Sequence, residues 1–159
     1  MQTILLDNKT ILVTGSAGFI GSNLVLRLFK EMSEGTIVGL DNLNDYYDPT
    51  LKDYRLSEIE KAKPAGIEYE FVKGDLADKA LIDGLFEKYH FDVVVNLAAQ
   101  AGVRYSITNP DAYIQYTSDT SKAIAAAFKK EETEDYFAFK SGYVDLAPAG
   151  IKKVVYEQI

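Results

Sequence analysis

Three glycines stand at equal spacing, Gly15, Gly18 and Gly21, in the stretch VTGSAGFIGSNLV. Residues without side chains at that spacing suit the binding of a phosphate. Gly15 allows a tight turn off a strand. Gly18 removes a side chain where a pyrophosphate must approach the backbone. Gly21 lets the following helix pack closely on the sheet. The start of that helix, with Ala17, Phe19 and Ile20 around it, offers N–H donors and the positive end of a helix dipole. A tight strand-to-helix turn with no ligand would use the same glycines, so the surroundings must decide.

Those surroundings favour a dinucleotide. The loop follows an apolar run and opens a helical pattern. The next apolar run ends on an acidic residue, Asp41, followed by Asn42. An acid at that strand tip can accept both hydroxyls of an adenosine ribose and repel a 2′-phosphate, which favours NAD over NADP. In GDL, Asp75 can accept a hydrogen bond from the adenine amino group and Leu76 can cover the ring; a helix cap is the plainer role for this segment. In NLAAQAG, the small residues after Leu97 (Ala98 and Ala99, then Gln100) leave space for a flat cofactor at a strand's carboxyl end.

The elements that must position these residues can be read from periodicity. Thr10 to Thr14, Thr36 to Asp41, Ile67 to Asp75 and Phe91 to Ala99 read as strands, the clearest being FDVVVNLAA. Helical spacing joins Ile20, Leu24 and Leu28, and again Leu81, Ile82, Leu85, Phe86 and Tyr89, with Asp78 as N-cap. Leu51, Tyr54, Leu56 and Ile59 suggest a looser amphipathic helix. Alternating strands and helices imply α/β architecture, a Rossmann-like doubly wound parallel sheet within a single domain over 1–159. The expected strand order is 3-2-1-4-5, with KKVVY as the fifth strand covering the apolar edge of the fourth. A helix starting near Pro110 is expected, and 117–150 is an atypical segment.

Composition narrows the function classes. Seventeen Lys and Arg against 24 Asp and Glu give a net charge of -7, with no basic cluster to attract nucleic acid or an anionic membrane. With no cysteine in the chain, thiolate nucleophiles and Cys-based zinc sites are excluded. The single histidine, His90, reads as a surface or cap residue, and no metal site is expected. Neither a signal peptide nor a membrane span is apparent, so a cytoplasmic location is the default expectation.

The segments ILVTGSAGFIGSNLV, GLDNLNDYYD, FVKGDLAD and FDVVVNLAAQAGVRYSITNPDAYI together resemble extended short-chain dehydrogenases. Within these they are most similar to nucleotide-sugar epimerases of the UDP-glucuronate 4-epimerase branch. The likeness runs from about Thr10 to Ile114. It implies a tightly held NAD that oxidises C4 of a UDP-sugar and returns hydride to the other face. It also implies a Tyr base in a Y-x-x-x-K motif, a Ser or Thr that polarises the sugar hydroxyl, and a separate substrate domain. Arg104 would lie near the sugar carboxylate or the diphosphate, or is an ordinary surface arginine.

Beyond that stretch the chain departs from the family's course. The terminal GIKKVVYEQI resembles the family's fifth strand but ends in Tyr-Glu-Gln-Ile where the Ser/Thr signature would begin. Tyr136 and Lys140 have Y-x-x-x-K spacing but precede that strand, and chance supplies such matches in a chain with 11 tyrosines. The expectation is a chain that keeps the NAD half-site, lacks the substrate domain and does not turn over on its own. The alternatives are a non-catalytic dinucleotide-binding module or an engineered scaffold, and completion of a site by homodimerisation.

Overall fold

A computed structural model describes residues 5–99. The chain runs β1 (Lys9–Thr14), α1 (Phe19–Glu31), β2 (Gly35–Asp41), α2 (Pro49–Ala62), β3 (Ile67–Lys73), α3 (Lys79–Tyr89) and β4 (Val93–Asn96). The strands form a parallel sheet ordered β3-β2-β1-β4. This agrees with the expected order as far as it extends. The expected fifth strand, the helix near Pro110 and segment 117–150 lie outside the described residues.

Alternation along the central strand builds two cores. Ile11 and Val13 face a layer made by Val25, Leu28 and Phe29 of α1 and Ile59 of α2. Leu12 faces the other side, with Ile82, Leu85 and Phe86 of α3 and with Phe91. Strands buried on both faces need continuous apolar runs, which is why ILV and VVV carry almost no polar residues. Helices on both faces make the sheet doubly wound.

Caps fix the helix limits. Asp78 accepts from the backbone N–H groups of Ala80 (3.0 Å) and Leu81 (3.1 Å), as an N-cap should. His90 ends α3 in the left-handed conformation, φ 47°, and its N–H donates to the Phe86 carbonyl at 3.1 Å. It is therefore the cap residue expected of it. Asp48 begins α2 by accepting from Thr50 N–H at 2.9 Å, with Pro49 in the first turn.

Two expectations are corrected. The apolar face read for α2 is rotated: Lys52 and Ile59 are buried, whereas Leu51 and Tyr54 are exposed. The cause is polar. Lys52 is drawn inward by Asp41, and Ile59 follows it two turns later on the same face. Ile20, counted on the apolar face of α1, is 64% exposed; the apolar side chains of α1 that are buried are Val25, Leu28 and Phe29, in its later turns. No helix among the described residues is long and apolar enough to cross a membrane.

Candidate nucleotide site

The glycine loop leaves the carboxyl end of β1. Gly15 has φ +66°, and a Cβ there would meet the backbone nitrogen of Ala98 at 2.9 Å. Both its conformation and its closeness to the segment after β4 therefore require glycine. The N–H of Gly18 donates to the Gly15 carbonyl at 2.9 Å and closes the turn. Gly21 serves a different contact from the one expected. A Cβ on it would collide with the Gly15 carbonyl and approach Ser16 Cα at 2.9 Å. It brings α1 against the loop rather than against the sheet. No side chain caps α1 and no acidic residue lies in its first turn; the nearby carboxylate is that of Asp41, on Ala17 N–H just before the N-cap.

Across from the loop, Asp41 ends β2 with its side chain buried. Its Oδ2 accepts from Ala17 N–H at 3.2 Å, and its Oδ1 from Leu43 N–H at 2.8 Å and Lys52 Nζ at 3.2 Å. Lys52 also donates to Asn44 Oδ1 at 3.0 Å. A carboxylate offers about four acceptor positions, so three donors leave room for roughly one more. Asp41 therefore keeps room to accept from a ribose hydroxyl. The ammonium beside it also offsets the charge on which the argument against a 2′-phosphate relied.

The far wall comes from β3 and β4. Gly74 N–H donates to the Asp41 carbonyl at 3.1 Å, which sets the start of GDL against the end of β2. Asp75 accepts from Ala77 N–H at 2.8 Å in a local turn. At the end of β4, Thr14 Oγ1 accepts from the N–H groups of Leu97 and Ala98, each at 3.1 Å, and donates to Asn96 Oδ1 at 2.5 Å. One buried hydroxyl on β1 thus holds the floor supplied by the Leu97 segment.

These parts enclose an open cleft of about 790 Å³, counted out to solvent. Of the residues singled out in the sequence, Gly15, Gly18, Asp41, Asn42, Asp75, Leu76, Leu97, Ala98 and Ala99 line it together. Ala17, Phe19, Ile20 and Gly21 do not. Ala17 and Gly21 are buried beneath the loop, and Phe19 is 72% exposed with the Arg55 guanidinium 6.0 Å from its ring centroid. Gln100, Arg104, Tyr136 and Lys140 lie outside the described residues. Lys52, Asn44, Tyr46 and Tyr47 also line the cleft, and sequence reasoning did not select them. The two tyrosines meet edge to face at 4.9 Å on its rim. Their signal was a tyrosine pair in a turn directly after the acidic strand tip. No group of three or more His, Cys, Asp or Glu among the described residues is arranged to hold a metal ion.

A parallel sheet wound on both faces, with a glycine turn and an acidic strand tip at the carboxyl ends of adjacent strands, defines a Rossmann-like domain. Residues 12–141 match the family model described as GDP-mannose 4,6 dehydratase, and the chain belongs to that family. UDP-glucuronate 4-epimerase 3 of Arabidopsis thaliana is 47% identical over 105 residues, which cover 66% of this chain and 23% of the relative. An uncharacterized protein of Methanocaldococcus jannaschii is 48% identical over 108 residues, 67% of this chain and 32% of its own length. The chain thus spans about a quarter to a third of the length of these curated relatives.

Solved structures agree on the architecture. An epimerase from Methanothermobacter thermautotrophicus superposes with a TM-score of 0.65 at 29% identity, covering 86% of this chain and 36% of that one. UDP-glucose 4-epimerase from Thermus thermophilus, solved in complex with NAD, gives 0.60 at 26% identity, covering 80% and 36%.

Proposed function

We propose that this chain is the cofactor-holding segment of a nucleotide-sugar 4-epimerase of the UDP-glucuronate type, and that its cleft takes NAD. The observation that carries this is a single opening shared by Gly15, by Gly18 (the N-cap residue of α1, which has no side-chain cap) and by the Asp41–Lys52 pair. The residues fit the cofactor. Gly15 and Gly18 line the cleft, Gly15 where a side chain would press on the Ala98 backbone, and Gly18 leaves the loop bare where a pyrophosphate would lie. Asp41 has room for a ribose hydroxyl, and Asp75 and Leu76 stand where an adenine would rest. Ala98 and Ala99 leave the other end open to a flat ring. NAD, when bound, supplies the hydride acceptor for oxidation of a sugar carbon.

The sugar assignment draws on the curated relatives named UDP-glucuronate 4-epimerases. A cytoplasmic location accompanies the proposal. The chain by itself is proposed to bind cofactor without converting UDP-glucuronate; what supports this is the sequence order, in which Tyr136 and Lys140 precede the expected fifth strand where the family's pair follows it.

Calorimetric titration of NAD tests the cofactor assignment. Saturable binding is expected for the unaltered chain, with at least ~10-fold loss in Gly18→Val, whose branched side chain fills the phosphate approach. Equal affinity in the two proteins would overturn it. A coupled assay that detected galacturonate formation by this chain alone would overturn the absence of turnover.

A further inference from the structure

Two buried hydroxyls beneath the glycine loop have no hydrogen-bond partner that meets ordinary geometry, Ser16 Oγ and Tyr69 Oη. Ser16 is fully buried and Tyr69 is 8% exposed. They come from distant parts of the sheet, and both converge on Gly39. A Cβ on Gly39 would stand 2.7 Å from each of the two oxygens.

The sheet explains the convergence. Tyr69 pairs with Ile37 in the β2–β3 register, and Gly39 is the next residue of β2 on the same face. The bare Gly39 leaves a groove along which the phenol of Tyr69 lies. An edge-to-face contact with Phe29 of α1, centroids 5.7 Å apart, fixes the ring from the other side. Ser16 reaches the same groove from the loop, with its N–H donating to the Leu40 carbonyl at 3.3 Å. The two hydroxyls face each other closely enough for Ser16 to oppose the upward shift of the Tyr69 phenol.

We infer that Tyr69 is a positioning residue for the glycine loop: its hydroxyl, lying over Gly39, pairs with Ser16 and ties the loop to β3. A hydroxyl hydrogen is free to rotate, so a small adjustment lets Tyr69 Oη donate to Ser16 Oγ. Leaving both oxygens unpaired inside the core is the costlier alternative. Ser16 lies between Gly15 and Ala17, the residue whose N–H donates to Asp41. Holding Ser16 therefore holds the turn whose Gly15 and Gly18 line the cleft. The effect on a nucleotide rests on the proposal that the cleft binds NAD; the effect on the loop does not.

The test uses Tyr69→Phe, Ser16→Ala and the double variant in the full chain. Tyr69→Phe keeps the ring against Phe29 and removes only the hydroxyl. The first readout is amide hydrogen exchange at residues 16–19 without ligand. Each single variant is expected to speed that exchange by roughly 3- to 10-fold, and the double variant by no more than either. Amides of β1 and α3 are expected to keep their rates. The second readout is NAD affinity, expected to weaken by a similar factor in all three variants. Unchanged loop exchange in Tyr69→Phe overturns the inference, as do additive effects in the double variant. So does acceleration spread evenly over the sheet, which marks a packing role only. If the unaltered chain fails to bind NAD, the cofactor proposal falls while loop exchange still decides this one.

Discussion

Lys52 Nζ lies 3.2 Å from Asp41 Oδ1, and the side chains are only 10% and 8% exposed. This ion pair joins α2 to the tip of β2 at the wall of the cleft. Breaking a buried pair leaves one charge without compensation, at a cost of about 3–5 kcal/mol in a sealed core. The open cleft admits water here, so Lys52→Met should cost less, about 1–3 kcal/mol. Asp41→Asn keeps an acceptor for Leu43 N–H but turns an amide donor toward Ala17 N–H and leaves Lys52 without its counter-charge, so it should cost at least as much. Urea denaturation of the three proteins measures the order. Lys52→Met as stable as the unaltered chain would show that the pair adds nothing to the fold.

Gly21→Ala tests how tightly α1 presses on the glycine loop. A helix interior ordinarily gains up to ~1 kcal/mol from this change. Here the added methyl would collide with the Gly15 carbonyl and the Ser16 backbone. Backbone cannot swing aside as a flexible side chain can, so the expected outcome is a loss of about 1–3 kcal/mol. Gly84→Ala in α3, where a Cβ meets nothing within 4 Å, is the control and should be neutral or stabilising. Thermal melts of the two variants should move in opposite directions; a gain in Gly21→Ala would contradict the packing described for the loop.

The strands and the glycine turn were legible because one-dimensional signals determine them. The ILV of β1 and the VVV of β4 are apolar throughout because both faces of each parallel strand are covered. Asp41 was legible because an acid at a strand tip has a chemical reason to be there. Lys52 was not: periodicity sorts residues by hydropathy, and a buried lysine looks like solvent-facing charge until its partner, 11 residues earlier, is brought beside it. The rotated face of α2 follows from the same oversight. Thr14 read as the end of a β-branched run, although its hydroxyl links two strands 82 residues apart in sequence. Such links depend on sheet register, which local pattern does not encode.

Thr14→Val replaces that hydroxyl with a methyl of nearly the same shape. The N–H groups of Leu97 and Ala98 and the Asn96 carboxamide oxygen lose this shared contact together. Each of the two N–H groups left unsatisfied costs about 1–3 kcal/mol, and water entering from the cleft recovers part of that. A total loss of about 2–4 kcal/mol is expected, with Thr14→Ser losing under about 1.5 kcal/mol because it keeps the hydroxyl. Denaturant midpoints give the comparison, and NAD titration should show weaker binding in Thr14→Val as the floor at Ala98 loosens. Equal stability of the valine and serine variants would mean that the hydroxyl is dispensable.

Alkaline pH isolates Tyr69. Burial pushes its phenol up to about 12, and the nearby charge of Glu60 adds to the shift. In the unfolded chain the group titrates near its ordinary value of about 10. The folded value is the higher one, so between these limits the native state binds more protons than the unfolded state. Stability is therefore fully present below about pH 10 and declines as pH rises toward 12. The full difference of about two pH units corresponds to about 2–3 kcal/mol. The comparison is between the unaltered chain and Tyr69→Phe, which differ only in this hydroxyl. Urea midpoints measured from about pH 9 to about pH 12 should fall more steeply in the unaltered chain, and the gap between the two should narrow or invert with rising pH. Parallel curves would mean that the Tyr69 phenol ionises in the fold as freely as it does in water.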